Sequence, residues 1–455
     1  MASNKDILSA QRFNRQRLVM AFSAGTPGGR EVEPRNMLRP VIGGIAIALV
    51  ILLVSLVMGR FTSPLPNDWQ NNTLVVVKNE GTRYVTIRGR LRPVTNIASA
   101  RLLSDPGSFK QTTAGADTLN GIERGSQVGI ADAPESLPAA KSLVPRGWAA
   151  CSSTAGTTST FVGSAPSGMG SVGHALVSVG KSHYLIANGH RYPIPSEKLD
   201  AALHALNLDA DPVVPVDATW INLFPQGSTI KPFSLSDAGT PVTTLSSSIS
   251  NPIAGSLLVV SDGSGAQRHY LVRADGRVAR LNEVELAMYK LGSPNVTEQQ
   301  VNASDLSQAG TTTSSAPSDW PDTLGKGVTE NQSACAVLQV DASGQMTSTI
   351  NASNQIDKGG VTVKGGTGAL VRATSGGSAG QVFLLTDAGR VWALGGATAD
   401  TVRQLGYTMS NVSNIPSPWL SLFPAGPELS KAAVWKGVQD KCSVPRAAWQ
   451  RAFPR

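Results

Sequence analysis

Apolar positions fall into three regimes along the chain. From Val41 to Gly59 they are continuous: VIGGIAIALVILLVSLVMG holds nineteen uncharged positions, which at helical rise span roughly 30 Å, the thickness of a bilayer core. Before that run, DILSAQRFNRQRLVMAF spaces Ile7, Phe13, Leu18 and Phe22 as a helix would, with bases between them. The pattern suits either a charge anchor or a helix that docks on a cytoplasmic partner. After the run, short alternating segments dominate, broken by Gly, Pro, Ser and Thr, which predicts short strands and many turns.

Within the third regime one pattern recurs four times, at YVTIRGRLRPV from Tyr84, YLIANGHRYPI from Tyr184, YLVRADGRVARL from Tyr270 and FLLTDAGRVWAL from Phe383. Each has an aromatic, an apolar run, a glycine, a base close to it and a second apolar run. Two alternating runs meeting at Gly89, Gly189, Gly276 or Gly389 predict a hairpin, because glycine adopts positive φ without strain. A helical pattern follows each hairpin. In SEKLDAALHALNL, Ser196 is placed to cap and Leu199, Ala202, Leu203 and Leu206 share a face; in NEVELAMYKLG, Asn282 caps and Gly292 stops the helix. ASARLLSDPG and ADTVRQLG are weaker versions.

The octapeptide WINLFPQG begins at Trp220 and WLSLFPAG begins at Trp419, each at the same distance after Tyr184 or Phe383. A hairpin plus a helix is too small to bury a sufficient core alone, so each unit must pack on something. The simplest history is a duplicated half containing two units, which gives four units in a pseudo-twofold arrangement. Trp220, Phe224, Trp419 and Phe423 then anchor equivalent units against a shared core. GHALVSV from Gly173 and GALVRAT from Gly368 read as a central β region, and Gly156–Gly173 and Thr311–Gly327 read as loops.

The predicted division is therefore 1–39, N-terminal segment; 40–60, transmembrane helix; 61–135, first unit; 136–180, central domain, first part; 181–245, second unit; 246–325, third unit; 326–380, central domain, second part; 381–430, fourth unit; and 431–455, tail. The fold class is α+β and β-rich.

Charge orients the apolar helix. Lys5, Arg12, Arg15, Arg17, Arg30, Arg35 and Arg39 precede it, and after Arg60 no base occurs until Lys78, so the N-terminus is expected in the cytoplasm and the large segment outside. The protein is expected in the plasma (inner) membrane. Only 15% of its 455 residues are charged, and the formal net charge of +8 is scattered rather than gathered with aromatics on one face, which argues against a nucleic-acid partner. Cys151 and Cys335 lie at nearly equal distances after Tyr84 and Tyr270, on the oxidising side, so a Cys151–Cys335 disulfide is predicted. Cys442 is left over, free or paired with another chain.

Candidate chemistry is sparse. A phosphate-cradling G-x-x-x-x-G-K-[ST] loop is absent, and the Gly-rich segments around Lys326 and Lys364 have other spacings. GGSAG at Gly376–Gly380 matches the G-x-S-x-G pattern of a nucleophile elbow, but Ser378 leads into a strand, QVFLLT, where an elbow leads into a helix. His174, His183, His190, His204 and His269 show no zinc spacing. Glu283 with Glu285 and Asp209 with Asp211 sit near helix ends or turns as solvated charge. No catalytic, metal or cofactor residue is assigned.

RPVTNIASARLL (Arg92–Leu103) and VGIADAPESLP (Val128–Pro138) resemble signature stretches of the EccB family, a membrane component of type VII (ESX) secretion in actinobacteria. The likeness takes in QRFNRQRL, the single span, the paired cysteines and LFPAGPELSKAA (Leu422–Ala433). It implies an elongated extracytoplasmic part and assembly with an EccC motor ATPase, EccD, EccE and other EccB copies, for export of WXG100-type proteins. The leading reading is a non-enzymatic scaffold. The alternatives are an ATP-hydrolysing subunit, as some relatives are labelled, a cell-wall hydrolase, or a module in contact with the cell wall.

Overall fold

The computed structural model of the protein describes residues 3–24, 38–59 and 65–437, apart from 246–248, 264, 308, 342, 344, 376 and 377. Cys442 lies outside the described residues, as does most of the 431–455 tail.

Residues 1–63 form one compact unit and 64–455 another. The first contains α1 (Asn4–Ala24) and α2 (Leu38–Gly59). Ile7, Phe13 and Leu18 of α1 are all more than half exposed. Among the described residues no helix is long and apolar enough to cross a membrane. The α2 backbone is helical over 22 residues, and Val41, Ile42, Ile45, Ile47 and Leu49 on it are exposed.

The second unit is α+β and β-rich, built from mixed sheets. Four small sheets share one topology. The first comprises β1 (Thr73–Val77), β2 (Arg83–Ile87), β3 (Arg90–Pro93), α3 (Ile97–Leu103) and β4 (Lys110–Ala114). The first three strands form an antiparallel meander; the chain then crosses through α3 and β4 pairs parallel with β1. A parallel return needs such a crossover, which is why each meander is followed by a helix.

Next in the chain come β5 (Ala149–Ser152), β6 (Thr158–Val162) and β7 (Gly170–Ser171), then the second small sheet with β8 (His174–Val179), β9 (Ser182–Ala187), β10 (His190–Ile194), α4 (Leu199–Ala205) and β11 (Val213–Pro215), followed by α5 (Ala218–Ile221). The third sheet holds β12 (Leu257–Ser261), β13 (Gln267–Val272), β14 (Val278–Leu281), α6 (Glu283–Gly292), β15 (Glu298–Gln300) and an added edge strand, β16 (Thr311–Thr312). After β17 (Gln332–Val340), β18 (Met346–Asn354) and β19 (Gly360–Val363), the fourth sheet follows with β20 (Gly368–Ser375), β21 (Ser378–Thr386), β22 (Val391–Ala393), α7 (Thr398–Gln404) and β23 (Ser413–Pro416); α8 (Lys431–Lys436) ends the described chain. In all four sheets the returning strand is parallel to the first.

The central sheet takes strands from two distant stretches, in the order β19-β6-β5-β17-β18-β7. Strand alternation gives it two different faces. Ala150, Ala334, Ala336, Leu338 and Ile350 enter the largest core, whereas Ala149, Cys151, Cys335 and Val337 form a separate cluster on the opposite face.

Several expectations need correction. GHALVSV and GALVRAT, expected in the central region, are β8 and β20, the first strands of the second and fourth small sheets. Those units therefore begin near residues 174 and 368, earlier than the expected 181 and 381. Alternation identifies a strand but not its hydrogen-bond partner. Part of Gly156–Gly173, expected as loop, is β6 and β7, because Thr-rich TSTFV suits a strand without an obvious apolar signature. Each unit is three strands, a helix and a fourth strand rather than a hairpin and a helix. Ser196 does not cap α4: its hydroxyl donates to the Lys181 carbonyl, and a short 3-10 turn over Ser196–Lys198 precedes the helix. Asn282 does cap α6, in a reciprocal box with Glu285.

Candidate functional site

The chemistry of the folded unit is concentrated at joints between its parts. Trp220 opens the first octapeptide at the end of α5, a single turn capped by Asp217, whose carboxylate accepts from the Trp220 amide (2.8 Å) and the Thr158 hydroxyl (2.7 Å) of β6. The Trp220 ring is fully buried, and its Nε1 donates to the Ala150 carbonyl of β5 at 2.8 Å. Trp419 is equally buried, and its Nε1 donates to Ser348 Oγ of β18 at 3.0 Å. That hydroxyl donates onward to the Leu223 carbonyl at 2.6 Å. One serine of the central sheet thus links the two octapeptides.

Phe224 and Phe423 pack in the same core, Phe423 edge-on to Trp148 at 5.4 Å between ring centroids. Trp148, itself fully buried and 6.5 Å from Trp419, was not singled out by the sequence because it lies outside the repeated pattern.

The glycines that close the octapeptides have a steric reason. A Cβ on Gly227 would sit 2.5 Å from the Tyr192 ring, and one on Gly426 would sit 2.1 Å from the Trp392 indole. Tyr192 and Trp392 occupy matching places, three residues after Gly189 and Gly389. Each reaches from its own unit to a neighbour: Tyr192 Oη donates to the Asp319 carbonyl (2.5 Å), and Trp392 Nε1 donates to the Asp132 carbonyl (3.1 Å). Burial, assisted by the nearby Asp319 charge, pushes the Tyr192 phenol up to about 12, so it stays a donor at neutral pH. The signal for this pair was present as bulky residues at a fixed offset from the turn glycines.

These contacts sort the units into pairs. The first and fourth share one core, with Leu74, Val85 and Leu102 against Leu384, Trp392 and Val402. The second and third share another, with Leu185, Tyr192 and Ala202 against Val284 and Met288. Arg101 Nη1 adds a bond from α3 to the Leu405 carbonyl (3.0 Å), and Tyr407 Oη donates to the Pro138 carbonyl (2.7 Å). Burial raises the Tyr407 phenol well above its ordinary value, which keeps that proton in place.

Gly89, Gly189, Gly276 and Gly389 all have positive φ, at 73°, 73°, 78° and 69°. Cys151 and Cys335 face each other across the β5–β17 pair and are bonded, closing a loop of 184 residues. The chain-entropy treatment assigns such a loop about 5 kcal/mol as an upper bound. The bond fastens the two stretches that build the central sheet.

The other candidates do not converge. Ser378 starts β21, in register with Ser375 of β20, and leads into a strand rather than a helix. His174 is buried, with Nε2 2.5 Å from Asp211 and Nδ1 3.0 Å from the Leu324 carbonyl, a joint between the second unit and the segment after the third. His204 meets Asp209 at 3.1 Å on the exposed surface. Among the described residues no three His, Cys, Asp or Glu side chains are grouped to hold a metal ion.

Comparison with known proteins gives a consistent result. The profile of a family described as type VII secretion system ESX-1, transport TM domain B (EccB), matches residues 1–439. The ESX-5 secretion system ATPase EccB5 of Mycobacterium tuberculosis is 28% identical over 294 residues, covering 60% of this chain and 56% of that protein. The chain thus spans little more than half of that relative's length. The ESX-3 secretion system ATPase EccB3 of Mycolicibacterium smegmatis is 25% identical, over 88% of this chain and 84% of the relative. Among solved structures, an EccB3 dimer from the ESX-3 core complex shares the fold with a TM-score of 0.65 at 22% identity, over 80% of this chain and all (100%) of that one. A chain of an intact ESX-5 inner membrane complex shares it at 0.63 and 21%, over 95% of each.

Proposed function

The chain belongs to the EccB family of type VII secretion proteins, and from that premise we propose that it is a structural core subunit of an ESX inner-membrane complex. The observation that carries the reading is where its largest side chains go. Trp148, Trp220, Trp392 and Trp419 are all buried in cores shared between parts of the chain, which is how a rigid scaffold uses aromatic area.

In this reading α2 crosses the membrane once, α1 lies on the cytoplasmic side, and residues from about 61 onward work outside. The bases before Val41 and the Cys151–Cys335 bond support that orientation. The four units descend from a duplicated half. Their common strand order, the matched Tyr192 and Trp392 contacts and the matched Gly227 and Gly426 support the duplication and a pseudo-twofold relation. The partners are further copies of this chain, an EccC-like ATPase, EccD and EccE, and the cargo is of the WXG100 type.

The test is mild-detergent extraction of the tagged protein from its native membrane, with sizing and identification of whatever accompanies it. A large particle containing a motor ATPase and a many-spanning protein is expected. A lone small species that hydrolyses ATP, the activity in the relatives' names, would overturn the scaffold reading.

A further inference from the structure

Between the first small sheet and α8 runs a groove of about 850 Å³ whose walls include Arg88, Arg90, Arg92, Asp105, Lys431 and Trp435. Four cations face one carboxylate there, and the carboxylate is engaged: Asp105 accepts from the Asn72 side-chain amide at 3.2 Å. Arg90 pairs with Glu123 at 3.0 Å. The side chains of Arg88 and Lys431 have no ion-pair partner among the described residues. Arg92 donates to the Ser126 hydroxyl at 2.9 Å and lies 5.2 Å from the centre of the Trp435 ring, and its Nε is buried without a partner.

Two observations indicate that this charge is not a by-product of the fold. Arg88 has φ of +50°, and every other non-glycine with positive φ among the described residues is Asn or Asp, the types that tolerate that conformation. The matching turn of the second unit carries Asn188 there, at +47°. An arginine held in a conformation that its backbone disfavours points to a use for its side chain. Moreover, the second unit builds the same two-residue turn with Asn188 and Tyr192 at the places of Arg88 and Arg92, so the topology does not require the cations.

We propose that this groove binds a phosphate-bearing saccharide, with the phosphate among Arg88, Arg92 and Lys431 and a sugar ring against the exposed part of the Trp435 indole. Guanidinium and ammonium groups supply the charge-assisted bonds a phosphate takes, and an indole supplies the flat apolar surface a sugar ring covers. Trp435 is 38% exposed, the one tryptophan among the described residues left so open. The chain's own C-terminal residues are a poor occupant, since Lys441, Arg446, Arg451 and Arg455 against Asp440 give them the same sign as the groove. The site does not depend on the scaffold reading, and its failure would leave that reading intact.

The test is calorimetric titration of the full-length protein in neutral detergent at low salt with glucose 1-phosphate, glucose and inorganic phosphate. Glucose 1-phosphate is expected to bind at least tenfold more tightly than either fragment and to weaken as salt screens the cations. The R88N/K431Q double variant, in which Asn restores the residue preferred at that turn, is expected to lose at least tenfold in affinity with an unchanged melting temperature. W435A is expected to reduce glucose 1-phosphate to the level of phosphate alone. Absence of saturable binding, glucose binding as tightly as its phosphate, or unaltered binding by the double variant each overturns the proposal.

Discussion

Replacing Trp419 by alanine tests whether the repeated octapeptide is a structural anchor. The ring is fully buried, its Nε1 bonds Ser348, and Trp148 packs against it. An indole covers roughly 200 Å², worth about 5 kcal/mol at ~25 cal/mol per Å², and a partly collapsed denatured state reduces that to about 3 to 4. The lost hydrogen bond adds about 1 kcal/mol, giving about 4 to 5 in total, at the upper end for a buried aromatic. With unfolding entropy of ~2.1 cal/mol/K per residue over residues 65–437, the melting temperature should fall by roughly 5 °C. Differential scanning fluorimetry of the full-length protein in detergent reads this directly. Trp419→Phe, which keeps most of the packing but not the N–H, should lose about 1 to 2 °C. In a double-mutant cycle, Trp419 and Ser348 should show coupling of about 1 kcal/mol. A shift below about 1 °C for Trp419→Ala, against the ~5 °C expected of a core ring, would refute the anchor assignment.

Reducing the Cys151–Cys335 bond, or replacing both cysteines by serine, should cost up to about 5 kcal/mol, read as a lower melting temperature with reductant than without. Gly426→Ala pushes a methyl into the Trp392 ring and should destabilise by about 1 to 3 kcal/mol, whereas Gly365→Ala, with open space around it, should be near neutral in the same melt. Burial, then the nearby Lys290, hold the His269 imidazole below its usual value despite the opposing pull of Glu298. The fold therefore favours neutral His269. Its contribution is present above a pH of about 6.5 and is lost as pH falls through the lower folded value, so the wild type should lose more stability than His269→Asn between pH 7.5 and 5, measured by fluorimetry at stepped pH.

The hairpin turns were legible because each needs the same local chemistry, a glycine at positive φ between two alternating runs, and the start of α6 was legible in Asn282. Less legible were the strands whose residues are small or polar. AACS and TSTFV carry little apolar signal, yet they become β5 and β6 because a sheet can be closed by backbone bonds between Ala, Ser and Thr once larger residues cover its face. The fourth strand of each unit was missed for a related reason. VVP and SNIP are too short to show a period, and they are strands only because β8 and β20 offer them an unpaired edge.

The sequence by itself determined the turns, the helices that follow them, the matched spacing of the halves and the kinship with EccB, all of which depend on neighbours within a dozen residues or on direct comparison of one stretch with another. Only the tertiary structure decided which strand pairs with which, that distant stretches build one central sheet, that Ser348 joins the two octapeptides, and that Arg88 and Lys431 share a groove. Those facts concern groups far apart in the chain, and nothing local to either partner specifies the other; burial, hydrogen-bond satisfaction and shape select the pairing only when the whole core closes.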